Sequence, residues 1–213
     1  MIPKLHYISQ GNSLKEHHDN IQKACATGIE LVLLDVHNYS DKKLLKLATQ
    51  VRETTAHYQT RLIIANNYKI AKDVKADGVH LNALGDCPSQ VRKELHPWQI
   101  IGATAHNQDT CESYIAKEVD YIYLSPFEVT NPEGSTTKAL GINGFTAIVE
   151  ALNTKTPILG HGGINTEAVK DILETGVSGM AVSDEISADF NSIKIYNQLL
   201  NASSTVEQRY TFK

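Results

Sequence analysis

The residues with the clearest chemical capacity lie in two stretches near the end of the chain. The first is Pro157-Ile158-Leu159-Gly160-His161-Gly162-Gly163-Ile164-Asn165, and one helix-length later comes Gly176-Val177-Ser178-Gly179-Met180-Ala181-Val182-Ser183. Each is a short apolar run that ends in a turn of small residues ahead of a helical pattern. Glycine lets the backbone approach a ligand's oxygens, and a following helix N-terminus offers unpaired N–H groups and a positive dipole end. Two such units in tandem predict a backbone grip on an organic phosphate. His161 stands immediately before the glycine pair, where an imidazole could move a proton at a bound ligand.

The elements that must position these residues follow from hydrophobic periodicity. Apolar runs predict strands at 5–9, 30–36, 61–65, 78–81, 99–103, 121–124, 157–160 and 179–182, with helical patterns after them at 14–27, 41–57, 68–75, 88–95, 107–117, 143–152, 166–175 and 190–202. Eight strands, each followed by a helix, make a (β/α)8 barrel of the phosphate-binding type, expected as one domain over 1–201 with a polar tail over 202–213. The active site of such a barrel lies at the C-terminal ends of its strands. The residues there are Asp35 and His37, Asn66 and Asn67, His80 to Asp86, Thr104 to His106, Ser125, His161, then Ser183 with Asp184. Four of the nine histidines fall on this face, which favours acid–base or metal chemistry. The ordinary role of a histidine there is to satisfy a loop carbonyl, and His80, inside Gly78-Val79-His80-Leu81, reads as packed and hydrogen-bonded. Residues 125–141, rich in Pro, Thr, Gly and Ser, make a long loop suited to covering a substrate.

Composition excludes other classes. With 213 residues and 41% hydrophobic content the chain can bury one substantial core, and a net charge of −4 gives no footprint for nucleic acid. No apolar run approaches the roughly 20 residues of a membrane span. The opening Met1-Ile2-Pro3-Lys4-Leu5 lacks the layout of a signal peptide, so a cytoplasmic protein is expected. Cys25, Cys87 and Cys111 show no metal-ligand spacing and suit reduced thiols.

Ala76-Asp77-Gly78-Val79-His80-Leu81, Ile101-Gly102-Ala103-Thr104-Ala105-His106 and Asp120-Tyr121-Ile122-Tyr123-Leu124-Ser125-Pro126-Phe127, together with the two glycine turns, resemble the thiamine phosphate synthases and the related thiazole tautomerases. That resemblance implies a synthase that joins a pyrimidine methyl diphosphate to a thiazole phosphate and releases pyrophosphate with Mg²⁺. It implies a thiazole phosphate site at Gly162, Gly163, Val182 and Ser183. Asp86 is similar in place to the family's magnesium ligand, the family's Asn-Asp pair after strand three becomes Ala65-Asn66 so that Asn66 would join Asp86 at the metal, and Thr104 matches a serine near the diphosphate. Thr130 matches the first threonine of the family's Thr-x-Thr-Lys loop, whose lysine becomes Glu133, leaving Lys138 as its substitute.

Strand two departs from the family. Where the resemblance implies Gln-x-Arg-x-Lys, this chain has Leu33, Asp35 and His37, and no Arg or Lys occurs between Lys23 and Lys42. Departure of a diphosphate is helped chiefly by cations, so an aspartate in place of an arginine reverses the sign at that position. Tautomerisation needs only a phosphate grip and a proton shuttle, for which His161 or His106 would serve, although Ser125-Pro126 occupies the place of the tautomerase's own histidine. A silent thiazole or thiamine phosphate-binding protein is a third reading. A metal-dependent sugar-phosphate epimerase, using Asp35, His37 and His161, is a fourth. The expected partner is a small organic phosphate, with a homo-oligomer left open.

Overall fold

A computed structural model describes residues 1–82, 85–129 and 138–210, with side chains of the last helix described as far as Ala202. Eight parallel strands close into a barrel in sequence order: β1 Leu5–Ile8, β2 Leu31–Leu34, β3 Arg61–Ala65, β4 Gly78–Leu81, β5 Ile100–Ala105, β6 Tyr121–Leu124, β7 Ile158–His161 and β8 Gly179–Val182. Parallel neighbours need a crossover between them, and the helices supply it. They are α1 Leu14–Thr27, α2 Asp41–His57, α3 Tyr68–Asp73, α4 Pro88–Glu94, α5 Gln108–Ala116, α6 Gly141–Leu152, α7 Val169–Glu174, α8 Asp184–Ala188 and α9 Ser192–Tyr210. The expected (β/α)8 architecture is present.

Local sequence sets the helix ends. Ser13 Oγ accepts from Glu16 N to open α1, Asn67 and Asn107 do the same for α3 and α5, and Gly28 closes α1 at φ 97°. Alternation along each strand divides the core in two. Ile8, Leu31, Leu33, Ile63, Tyr121, Tyr123 and Leu159 fill the barrel, while Leu5, Val32, Leu34, Leu62, Ile64, Ile122 and Leu124 pack outward against the helices. Gly102 is required by this filling, because a Cβ there would stand 2.0 Å from Tyr121 Cζ. At the strands' N-terminal ends two aspartates act alike. Asp77 Oδ2 accepts from Arg52 Nη1 at 2.6 Å and Leu62 N at 2.8 Å, and Asp120 Oδ2 from Arg92 Nη2 at 2.5 Å and Ile101 N at 2.7 Å. Each ties a helix to the mouth of a neighbouring strand opposite the candidate site.

Several other element ends shift by one or two residues from the expected ranges, and three differences are structural. Thr166 to Ala168 form a turn ahead of a shorter α7, because Glu185 holds the Thr166 backbone and hydroxyl. The five-residue α8 is too short for periodicity to register. α9 continues past position 201 to Tyr210. No helix among the described residues is long and apolar enough to cross a membrane.

Candidate active site

At the C-terminal end of β7 the chain turns through Gly162 and Gly163, both at positive φ, 91° and 67°. Only glycine takes two such conformations in succession without strain. Space demands it as well: a Cβ on Gly162 would stand 3.0 Å from Pro126, and one on Gly163 would stand 2.7 Å from Glu128 Cβ. The segment after β6 is laced to this turn, with Phe127 N donating to His161 O at 2.8 Å and Glu128 N to Gly162 O at 3.0 Å. From the other side Glu185 accepts from Thr166 N and Oγ1, and its second oxygen accepts a short hydrogen bond from the Tyr196 hydroxyl. The held turn and the end of β8 enclose a cavity of about 160 Å³, lined by Gly162, Gly163, Val182, Ser183 and Asp184, with His161 at its edge. The Ser183 hydroxyl makes no capping bond to α8.

His161 also lines a second, larger cavity of about 910 Å³ over the mouth of the barrel. Asp35 and His37 follow β2 on its wall, Asn66 follows β3, and Asn82 and Gly85 follow β4; Thr104, His106 and Ser125 close the ring. No lysine or arginine is among these residues. His106 Nδ1 donates to Ser125 O at 2.7 Å and His161 Nδ1 to Ala181 O at 3.1 Å, so Nε2 is the nitrogen of each ring not engaged by that carbonyl. Burial pushes the His161 pKa down, against the opposing pull of the Ala181 carbonyl and the Asp35 carboxylate.

Beneath this cavity lies a buried polar stack. His80 Nε2 meets Thr104 Oγ1 at 2.8 Å, its Nδ1 meets the Tyr121 hydroxyl at 3.1 Å, and its ring stacks on Tyr123 at 4.2 Å. Deeper still, His6 Nε2 donates to Pro3 O at 3.0 Å, so its Nδ1 accepts from the Tyr123 hydroxyl at 2.7 Å. Burial lowers the His6 pKa to about 3 and holds His80 well below its ordinary value. His80 is thus the packed residue its strand context predicts, and it positions Thr104 from below.

Asp35 is held by its backbone. Its N–H donates to Ser9 Oγ at 3.1 Å, and that hydroxyl pairs with His17 Nδ1 at 3.0 Å. The carboxylate Oδ1 is buried without a hydrogen-bond partner; His37 Nε2 stands 3.2 Å away but outside hydrogen-bond geometry. Asp35 and His37 also wall a third recess of about 540 Å³ that runs back to Ser9 and His17.

The sequence candidates therefore separate into three groups. Gly162, Gly163, Val182 and Ser183 share the small cavity, and Asn66, Thr104, His106 and His161 share the large one. Asp86, beside Gly85, and Lys138 are both exposed, and neither lines either cavity. Thr130 lies outside the described residues, as does the middle of the loop proposed to cover the site, residues 130–137. The oxygen donors at Asn66 and Asp86 suit a hard cation such as Mg²⁺, which binds through few carboxylates and keeps several waters. Asn66 Oδ1 accepts from Asn82 N at 2.9 Å and lies 3.6 Å from where a Cβ on Gly85 would stand, so the Asp86 segment runs close to it. Among the described residues no three His, Cys, Asp or Glu side chains gather to hold a metal, and the donor set of an epimerase is not assembled. Sequence reasoning overlooked His6, Tyr121 and Tyr123 as the polar filling of the barrel. The available signal was the period of two: Asn82 follows His80, Ser125 follows Tyr123 and His106 follows Thr104 by two residues, each stepping up the same inner face.

The profile of the family described as thiamine monophosphate synthase, TMP-TENI, matches residues 5–186. The chain belongs to this family. Among relatives of the thiamine monophosphate synthase family, it is 34% identical over 202 residues to a thiamine-phosphate synthase of Flavobacterium psychrophilum, covering 93% of this chain and 98% of that one. It is 31% identical over 204 residues to a thiamine-phosphate synthase of Flavobacterium johnsoniae, covering 94% and 96%. The barrel superimposes on a thiamine phosphate pyrophosphorylase from Pyrococcus furiosus with a TM-score of 0.80 at 24% identity, covering 92% of this chain and 96% of that one.

Proposed function

We propose that the protein acts in thiamine biosynthesis as a thiamine phosphate synthase, holding a thiazole phosphate and coupling it to a pyrimidine methyl diphosphate. The observation that carries this reading is the pair of adjoining cavities with His161 between them. The smaller, about 160 Å³, is built from backbone and suits one phosphate; the larger, about 910 Å³, is within the range that buries a sizeable organic ligand and has room for two heterocycles side by side. Gly162, Gly163, Val182 and Ser183 anchor the phosphate, which aims the thiazole ring past His161 into the larger space. Holding both rings in contact converts a bimolecular substitution into a local one. In the reaction the C–O bond of the pyrimidinylmethyl diphosphate breaks, the electron pair leaves with diphosphate, and the thiazole nitrogen forms the new C–N bond. Asp86 and Asn66 would hold Mg²⁺, which supplies charge neutralisation for the leaving diphosphate. Thr104, fixed by His80, contributes a hydroxyl on that side, and the His106 and His161 rings supply polar edges.

The test is to mix the protein, Mg²⁺ and both substrates and to assay thiamine phosphate by oxidation to fluorescent thiochrome, with Asp86→Asn beside it. Product that falls with the variant supports the synthase. The absence of Lys and Arg from the described lining favours one second reading, a tautomerase or a thiazole phosphate-binding protein in which His161 or His106 moves the proton. Thiazole phosphate binding without thiochrome product would select it.

A further inference from the structure

At the end of strand two, at the position where the family resemblance implies an arginine, this chain has a carboxylate that lines the cavity. Asp35 Oδ1 is buried and accepts no hydrogen bond, yet it belongs to the wall of both the 910 Å³ cavity and the 540 Å³ recess behind it. A carboxylate oxygen without a partner in a cavity wall costs free energy unless a ligand supplies the missing donor or charge. The nearest group is the exposed His37, whose Nε2 stands 3.2 Å from Oδ1 at ion-pair distance without a hydrogen bond; His17 is committed to Ser9, and His161 donates from Nδ1 to a carbonyl. Among the described residues neither cavity has a lysine or arginine in its lining. The Ser9 hydroxyl accepts the Asp35 N–H, so the residue is braced from its backbone while Oδ1 is enclosed in the wall without a hydrogen-bond donor.

Resting on the synthase reading, we infer that Asp35 is a catalytic residue that stabilises positive charge on the organic substrate rather than handling the diphosphate. When the C–O bond breaks, positive charge develops on the pyrimidinylmethyl carbon and its ring. When the thiazole nitrogen closes the C–N bond, that charge becomes the permanent thiazolium of the product. A fixed carboxylate beside the junction of the two rings lowers the energy of both, and a preorganised charge in a partly desolvated cavity is effective at doing so. The sign reversal on strand two thereby moves electrostatic assistance from the departing anion to the cation it leaves behind.

The test is calorimetric titration of thiamine phosphate and of thiazole phosphate into wild type and Asp35→Asn at pH 8, without Mg²⁺. The amide keeps the shape and the backbone bond to Ser9 while removing the charge. Asp35→Asn should weaken thiamine phosphate by about tenfold or more and change thiazole phosphate by no more than about twofold, so that the second ligand doubles as the control for folding. Equal weakening of both ligands, or unchanged thiamine phosphate affinity, overturns the inference while leaving the phosphate site in place. Failure of wild type to bind either ligand overturns the phosphate-site reading and, with it, this role for Asp35.

Discussion

The two sides of the barrel mouth are built from different materials. On the β7–β8 side the site is made of main chain: two glycines at positive φ, locked between the segment after β6 and Glu185 of α8. On the β2–β4 side it is made of side chains, Asp35, His37, Asn66 and Asn82, standing on strand ends with one buried oxygen left unsatisfied. A backbone grip depends on shape and tolerates little change, whereas a side-chain wall can reverse its charge by one substitution and keep its fold. On the proposed reading, this difference would let a chain keep a phosphate grip while the side-chain wall opposite it changes.

The sharpest way to break that comparison is Gly163→Val. A β-branched residue at φ 67°, with its Cβ 2.7 Å from Glu128 Cβ, should abolish thiazole phosphate binding in calorimetry and lower stability by about 1–3 kcal/mol in denaturant melts. Acid provides a second test, directed at the stack beneath the cavity. The folded pKa of His6, about 3, lies below the ordinary 6.5, so the unfolded chain binds more protons between those values. The stability this group contributes is fully present above pH 6.5 and is lost as pH falls towards 3, at about 1.4 kcal/mol for each pH unit. His80, shifted the same way, steepens the slope. Urea melts from pH 7.5 to pH 4.5 should show it, and His6→Gln should flatten it.

Next in size is Asp35→Arg, which restores a cation to strand two. It should raise the affinity for inorganic pyrophosphate by about tenfold with no change at the glycine turn, measured by competition calorimetry. Weakened thiazole phosphate binding in this variant would mean that the two sides are not separable. The smallest expected effect is at Lys138, which is exposed and lines neither cavity. Lys138→Ala should change the synthase rate by less than about twofold, in keeping with the small contribution of an exposed charge.

Much of this was legible in the residues, for identifiable reasons. β3, β4, β6 and β8 have the bounds that their apolar runs predict, because strands buried on both faces read as continuous hydrophobic segments. Gly162 and Gly163 were legible because a turn at positive φ leaves few alternatives to glycine. The interior stack was not: His6 and Tyr123 are separated by 117 residues, and only barrel closure brings their ring and hydroxyl to 2.7 Å. The alternation that carries Tyr121 and Tyr123 inward is visible only once the opposite faces of β6 are assigned, and Gly102 makes sense only beside the ring it accommodates. The role of Glu185 was equally hidden, since α8 is too short to announce itself and its carboxylate acts on Thr166, 19 residues earlier.

A backbone phosphate grip beside a cavity whose described lining holds no lysine or arginine is tested most directly by the ³¹P resonance of thiazole phosphate. The spectrum would be recorded with the protein in excess and then with added inorganic pyrophosphate. A displaced or broadened signal that pyrophosphate leaves in place is the predicted result. A signal unchanged by the protein, or one that pyrophosphate returns to its free position, would contradict the account.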